Sequence, residues 1–144
     1  MVHALEQIHQ LLTPGGVLID IHNAPEPPLF EVRRYDALLY SEPQPGYCGD
    51  PYLEPQKALN EVVRRRLFAL EGTRRIDFFI LADSVAELRA FQAEFYAYAG
   101  TSEPSEERQQ LDVRLQKALE KAGPGARVAT HEIGIASGLS AINR

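Results

Sequence analysis

"LEQIHQLLTPGGVLIDIHN", Leu5 to Asn23, packs a helix, a hard stop and a strand into one short stretch. Ala4, Leu5, Ile8, Leu11 and Leu12 recur at helical spacing and form one apolar stripe, with Glu6, Gln7 and Gln10 outside it. Pro14 cannot continue that helix, and Gly15 and Gly16 give the backbone freedom for a turn. In the "VLIDI" run that follows, Val17, Ile19 and Ile21 take one face and Leu18 and Asp20 the other. Apolar residues on both faces predict a parallel, helix-covered strand. A strand of that kind sits inside a sheet, with a neighbour on each edge.

Outward from this stretch, "APEPP" reads as a proline-rich loop, and "LFEVRRY" and "ALLYSE" pair as an antiparallel ribbon turning around Arg34 to Ala37. Pro55 fits the first turn of a helix running to about Leu70, with Leu59, Val62, Val63, Leu67 and Leu70 inward and Gly72 as its terminator. "RRIDFFILADS" is a second strong strand. It leads into a helix with Leu88, Phe91, Phe95 and Tyr98 on one stripe, and Ser84 and Glu87 have the spacing of a capping box. A further helix, capped by Ser102 or Ser105, turns Leu111, Leu115, Ala118 and Leu119 inward. The tail from Ala126 to Ile142 is a long strand in which Gly134 or Gly138 marks a bulge or bend. The predicted order is α, β, a β ribbon, α, β, α, α, β.

At 144 residues the chain has the size of one domain, taken as residues 1–144. A net charge of −5 argues against a nucleic-acid partner, which needs a clustered excess of Lys and Arg. The pairs and triplets of arginine at Arg33, Arg64 and Arg74 are flanked by acids and read as solvated faces. No run approaches the length of a membrane span, and "MVHALEQIHQ" has no signal-peptide pattern, so no membrane partner is expected. The single cysteine, Cys48, excludes an internal disulfide and fits a reducing, cytoplasmic setting.

The segment "ALEQIHQLLTPGGVLIDIHN" resembles the part of class I S-adenosylmethionine-dependent methyltransferases where a helix ends at a Leu-x-Pro-Gly-Gly turn and leads into the fifth strand. "LFALEGTRRIDFFILADSVAELRAF" is similar to the closing part of one branch of that superfamily. The resemblance implies an α/β fold: a partial, Rossmann-type sheet of mixed parallel and antiparallel strands, with a β ribbon insertion and about four helices. It covers the C-terminal half of the family and omits the half that holds the cofactor. No Gly-x-Gly-x-Gly follows any strand, and no upstream strands carry one. The expected cofactor is therefore none, with S-adenosylmethionine bound only if a missing N-terminal half is supplied. The family's fourth strand would flank "VLIDI", so an edge from Val17 to Ile21 is expected to stand open. The partners that follow are a second copy, in a homodimer through that edge or the adjacent ribbon, or a polypeptide carrying the cofactor-binding half.

Asp20, His22 and Asn23 end the first strand, where open α/β sheets bind ligands and where the resembled family borders its methyl acceptor. His22 has the chemistry of a base near neutral pH. Tyr35 and Tyr40, with Tyr47 and Tyr52, gather around the ribbon and its loop and are candidates for a small-ligand pocket or a contact surface, the alternative reading of the chain as a ligand-binding α/β module. His3 and His9 are too far apart on a helix to share one ion, and His131 and Glu132 point to opposite faces of a strand. Ser84 is explained by capping, and Cys48 has no cationic neighbour in sequence to activate it. No metal ligand set and no catalytic triad can be assembled.

Overall fold

The structure, a computed structural model, describes the backbone of residues 1–99 and 105–142, and side chains except those of residues 95–99. The elements are α1 (Val2–Leu11), β1 (Val17–Asn23), β2 (Leu29–Arg34), β3 (Ala37–Pro43), a 3-10 turn (Asp50–Tyr52), α2 (Leu53–Arg64), β4 (Phe68–Ala82), α3 (Val85–Ala99), α4 (Glu106–Ala122) and β5 (Ala126–Ala141). Their order is the predicted one. The predicted stripe positions Phe95 and Tyr98 lie outside the described side chains, as does Ser102 among the residues.

The sheet corrects the fold class. Its five strands are antiparallel, in the order β1-β5-β2-β3 with β4 also paired to β5, and do not form a mixed parallel and antiparallel Rossmann-type sheet. The physical reason lies in the "VLIDI" pattern. β1 is covered on one face only: Leu18, Asp20 and His22 are half-buried while Val17, Ile19 and Ile21 are exposed. Its two apolar faces therefore mark an edge strand with an uncovered apolar side. The strand buried on both faces is β2, where Phe30, Glu31 and Val32 are all covered.

The chain forms two compact units, residues 1–26, 48–77 and 133–144, and residues 27–47 and 78–132. β4 and β5 give residues to both. In the first unit, Val17 to Asn23 pair with Ser140 to Gly134, in register throughout, so Gly134 and Gly138 make no bulge against β1. Leu5 of α1 and Ala58, Leu59 and Val62 of α2 bury against Leu67, Phe68 and Leu139. α1 stops as its sequence requires: Gly15 takes a φ of 74°, and Gly16 N-H donates to the Thr13 carbonyl. α2 ends at Arg64, short of the predicted Leu70, because Arg66 turns to a φ of 56° and β4 begins at Phe68. Leu67 and Phe68 then fill the core from a turn and a strand, and Gly72 lies inside β4.

In the second unit, β2 pairs with β5 from Leu29↔His131 to Arg34↔Ala126 and with β3 through a two-residue turn at Tyr35 and Asp36. A bulge falls at Val32/Arg33 on the β3 side. Phe30, Val32 and Val128 pack with Ala82, Val85 and Leu88 and with Leu111 and Leu115 of α4. Both helix starts carry side-chain caps. Ser105 accepts from the Arg108 N-H, and Ser84 accepts from the Glu87 N-H at 3.1 Å. The Glu87 carboxylate reaches back to the N-H of Asp83, one residue before the expected partner, at 2.7 Å. At the far end of α4, Arg34 donates to the Ala122 carbonyl, placing a cation at the negative end of the helix.

Two backbone sites yield predictions. A β-carbon on Gly49 would lie 2.1 Å from the Pro25 carbonyl oxygen, which is backbone and cannot rotate away. Gly49→Ala should therefore cost about 1–3 kcal/mol of stability, the usual penalty of forced overpacking, measured by denaturant unfolding. Tyr35 holds a φ of 52° at the first turn position of the hairpin, where a II′-type turn favours glycine, and its side chain is 89% exposed. Tyr35→Gly should leave stability unchanged or raise it by up to about 1 kcal/mol. A clear loss would mean that the ring makes a stabilising contact.

Candidate functional site

Asp20 and His22 are the two predicted site residues that the fold brings together. Positions two apart on a strand share a face, and here the His22 Nδ1 lies 2.5 Å from the Asp20 Oδ2. The pair points to the covered side of β1, opposite Ile135 and Ser137 of β5. The His22 side chain is only 9% exposed and that of Asp20 21%. With Nδ1 engaged by the carboxylate, the other ring nitrogen, Nε2, is buried and has no hydrogen-bond partner among the described residues. Leaving such a group unsatisfied costs about 1–3 kcal/mol. Asn23 is exposed and opposite Gly134.

Around Asp20 the polar pattern continues on the same face. Ser137, directly opposite, is buried and lies 3.2 Å from the Thr73 hydroxyl of β4. The ring of His22 engages Asp20 through one nitrogen and nothing through the other, so no serine is activated by it.

Tyr35 and Tyr40 belong to the second unit and are not part of this pair. The Tyr35 ring projects from the hairpin turn. Tyr40 is half-buried and donates its hydroxyl to Glu42, which in turn accepts both Nε and Nη2 of Arg114 on α4. The Arg114 guanidinium, and secondarily the Tyr40 hydroxyl, hold the Glu42 carboxyl below the ordinary range against its own burial. The same hydrogen bond to Glu42 pushes the Tyr40 phenol up. Tyr40 is thus committed to a structural ion-pair network.

Sequence reasoning missed two further clusters in the second unit. His131, paired in sequence with Glu132, instead meets Glu31 across the sheet at 3.0 Å, and Arg33 meets the same buried carboxylate at 2.5 Å. Phe79 stacks on His131 with ring centroids 4.3 Å apart and carries the Arg33 guanidinium 5.0 Å from its own centroid. The second cluster centres on buried Gln92, whose carbonyl oxygen accepts from Arg89 and from Arg108 at 2.7 Å and whose amide donates to Thr130. Arg89 also pairs with Asp112. Only the strand register brings Glu31 to His131, and no local motif announces it.

The first unit also holds an open cavity of about 890 Å³ along α1, lined by His3, Glu6, His9, Arg65, Leu67 and Ile142 among others. Several of its polar groups pair with one another or with backbone. Glu6 pairs with Arg65 at 2.5 Å, which lowers the Glu6 carboxyl, and His9 meets the Ile142 carbonyl at 3.1 Å while its ring packs edge-on against Phe68. His3 pairs with Glu6 and Gln7. Among the described residues, no group of three or more His, Cys, Asp or Glu is placed to hold a metal ion. Among them, too, no helix is long and apolar enough to cross a membrane. Comparisons with family models, with curated proteins and with solved structures found no match for this chain.

The Glu42 network sets a pH dependence. Its folded pKa is depressed, so its contribution is fully present above the unfolded value of about 4.3 and is lost as pH falls through the folded value. Glu42→Gln should flatten the acid limb of the stability-pH curve below that point. It should also lower the titration of Tyr40, read by ultraviolet titration of tyrosinate. An unchanged tyrosinate curve would show that Glu42 does not govern the phenol.

Proposed function

We propose that this chain is a methyltransferase-like C-terminal module that neither binds S-adenosylmethionine nor transfers a methyl group alone, and that it works by assembling through β1. The observation that carries this reading is the state of that strand. β1 stands at one end of the strand order, paired only with β5 among the described residues, and exposes Val17, Ile19 and Ile21 at 59%, 69% and 59%. A row of large aliphatic side chains beside a free strand edge is a surface suited to burial against another polypeptide.

The methyltransferase relationship rests on the segment from Ala4 to Asn23, whose Pro14-Gly15-Gly16 turn delivers the chain into β1, and on the Ser84-capped helix that follows β4. It borrows no support from sheet topology. The parts that would hold the cofactor have no counterpart in the sequence, since no strand is followed by a glycine-rich phosphate or adenosine turn. The lone, exposed Cys48 accords with a cytoplasmic setting.

Calorimetric titration of the purified chain with S-adenosylmethionine tests the reading. No binding heat is expected. Saturable binding by this chain alone overturns it.

A further inference from the structure

We infer that the assembly partner is a second copy of this chain, and that β1 pairs antiparallel with the partner's β1 about a twofold axis at Ile21. This deepens the reading of β1 as an assembly surface and does not depend on the methyltransferase relationship.

Three antiparallel registers use most of the strand, and their side chains separate them. A register centred on Asp20 overlaps all of β1 but sets Asp20 directly against the partner's Asp20, and like charges directly opposite repel. A register centred on Ile19 sets Asp20 against the partner's Leu18 and carries His22 beyond the paired region. Centring on Ile21 sets Asp20 against the partner's His22 and His22 against the partner's Asp20, on the covered face. On the uncovered face, Ile21 then meets the partner's Ile21, and Ile19 meets the partner's Asn23. The third register sets carboxylate against imidazole on one face and is apolar at the axis on the other.

Within each copy the His22 Nδ1 already meets the Asp20 carboxylate. Directly opposite residues on paired strands have β-carbons about 4.5–5.5 Å apart, so the chosen register brings the partner's Asp20 carboxylate beside the ring. The same pairing satisfies the outward N-H and C=O groups of β1, which β5 cannot reach.

The test uses cysteine placement in the full chain with Cys48→Ser, so that the native thiol is silent. Ile21 and Ile19 are both exposed, so Ile21→Cys and Ile19→Cys leave the core intact. Light scattering should give twice the chain mass, and mild oxidation should convert Ile21→Cys into a covalent dimer while leaving Ile19→Cys largely uncrosslinked. Ile19→Lys, which puts a charge on the apolar face, should give monomer with an unchanged circular dichroism spectrum. Three outcomes overturn the inference: a monomer at all concentrations, crosslinking of Ile19→Cys in preference to Ile21→Cys, or a dimer in which neither cysteine crosslinks. A monomer that also fails to bind S-adenosylmethionine would remove self-pairing and leave the methyltransferase-like reading standing.

Discussion

Strand β5 is the element to which three others are hydrogen-bonded: β1 along Gly134 to Ser140, β2 along Ala126 to His131, and β4. Backbone N-H and C=O groups must find partners wherever water is excluded, so a strand this long fixes the direction and register of each neighbour. Register in turn decides which side chains share a face, since a slip of one residue turns every side chain over. The polar contacts of the second unit descend from this constraint. Leu29 opposite His131 puts Glu31 and His131 on one face, and Phe30 opposite Thr130 puts Phe30, Val32 and Val128 together under α4. Shifted by one residue, Glu31 would enter the aliphatic core.

Much of the secondary structure was legible because its signals are local. The Pro14-Gly15-Gly16 stop, the hairpin turn after Arg34, the Ser84 and Ser105 caps and the inward Leu111 and Leu115 all act within a few residues, and each appears where its chemistry requires. The failures are long-range. Alternation in "VLIDI" shows which residues share a face but not which face is covered, so an edge strand with an apolar outer side was read as an interior parallel strand. The end of α2 was misplaced for a related reason. Leu67 and Phe68 continue the apolar pattern of the helix, yet they are buried from a turn and a strand once Arg66 adopts its positive φ.

For the candidate site the division is similar. Asp20 and His22 enter the sequence reading as the end of an interior parallel strand, a ground that the antiparallel sheet removes; what joins them is spacing two on one strand, and the structure adds their hydrogen bond. Tyr40 was selected as an aromatic near a loop, but its hydroxyl is held by Glu42 and Arg114, the latter far along the chain on α4. Glu31, His131 and Gln92 went unselected because their partners are remote in sequence and only β5 and the helices bring them together.

One motif recurs on three strands, and its differences bear on function. Asp20 and His22 on β1, Glu31 and Arg33 on β2, and Tyr40 and Glu42 on β3 are each a hydrogen-bonded pair at spacing two. On β2 a third group closes the arrangement, as His131 brings a second partner to the buried carboxylate. On β3 the closing group is Arg114, which binds both oxygens of Glu42. On β1 no closing group stands among the described residues, and the arrangement ends at a buried ring nitrogen without a partner there. A buried polar group is tolerable when its network is complete and expensive when it is not. The open network lies on β1, whose outer row of Val17, Ile19 and Ile21 is exposed, and the arrival of another strand at that edge covers the row and pairs the outward backbone groups.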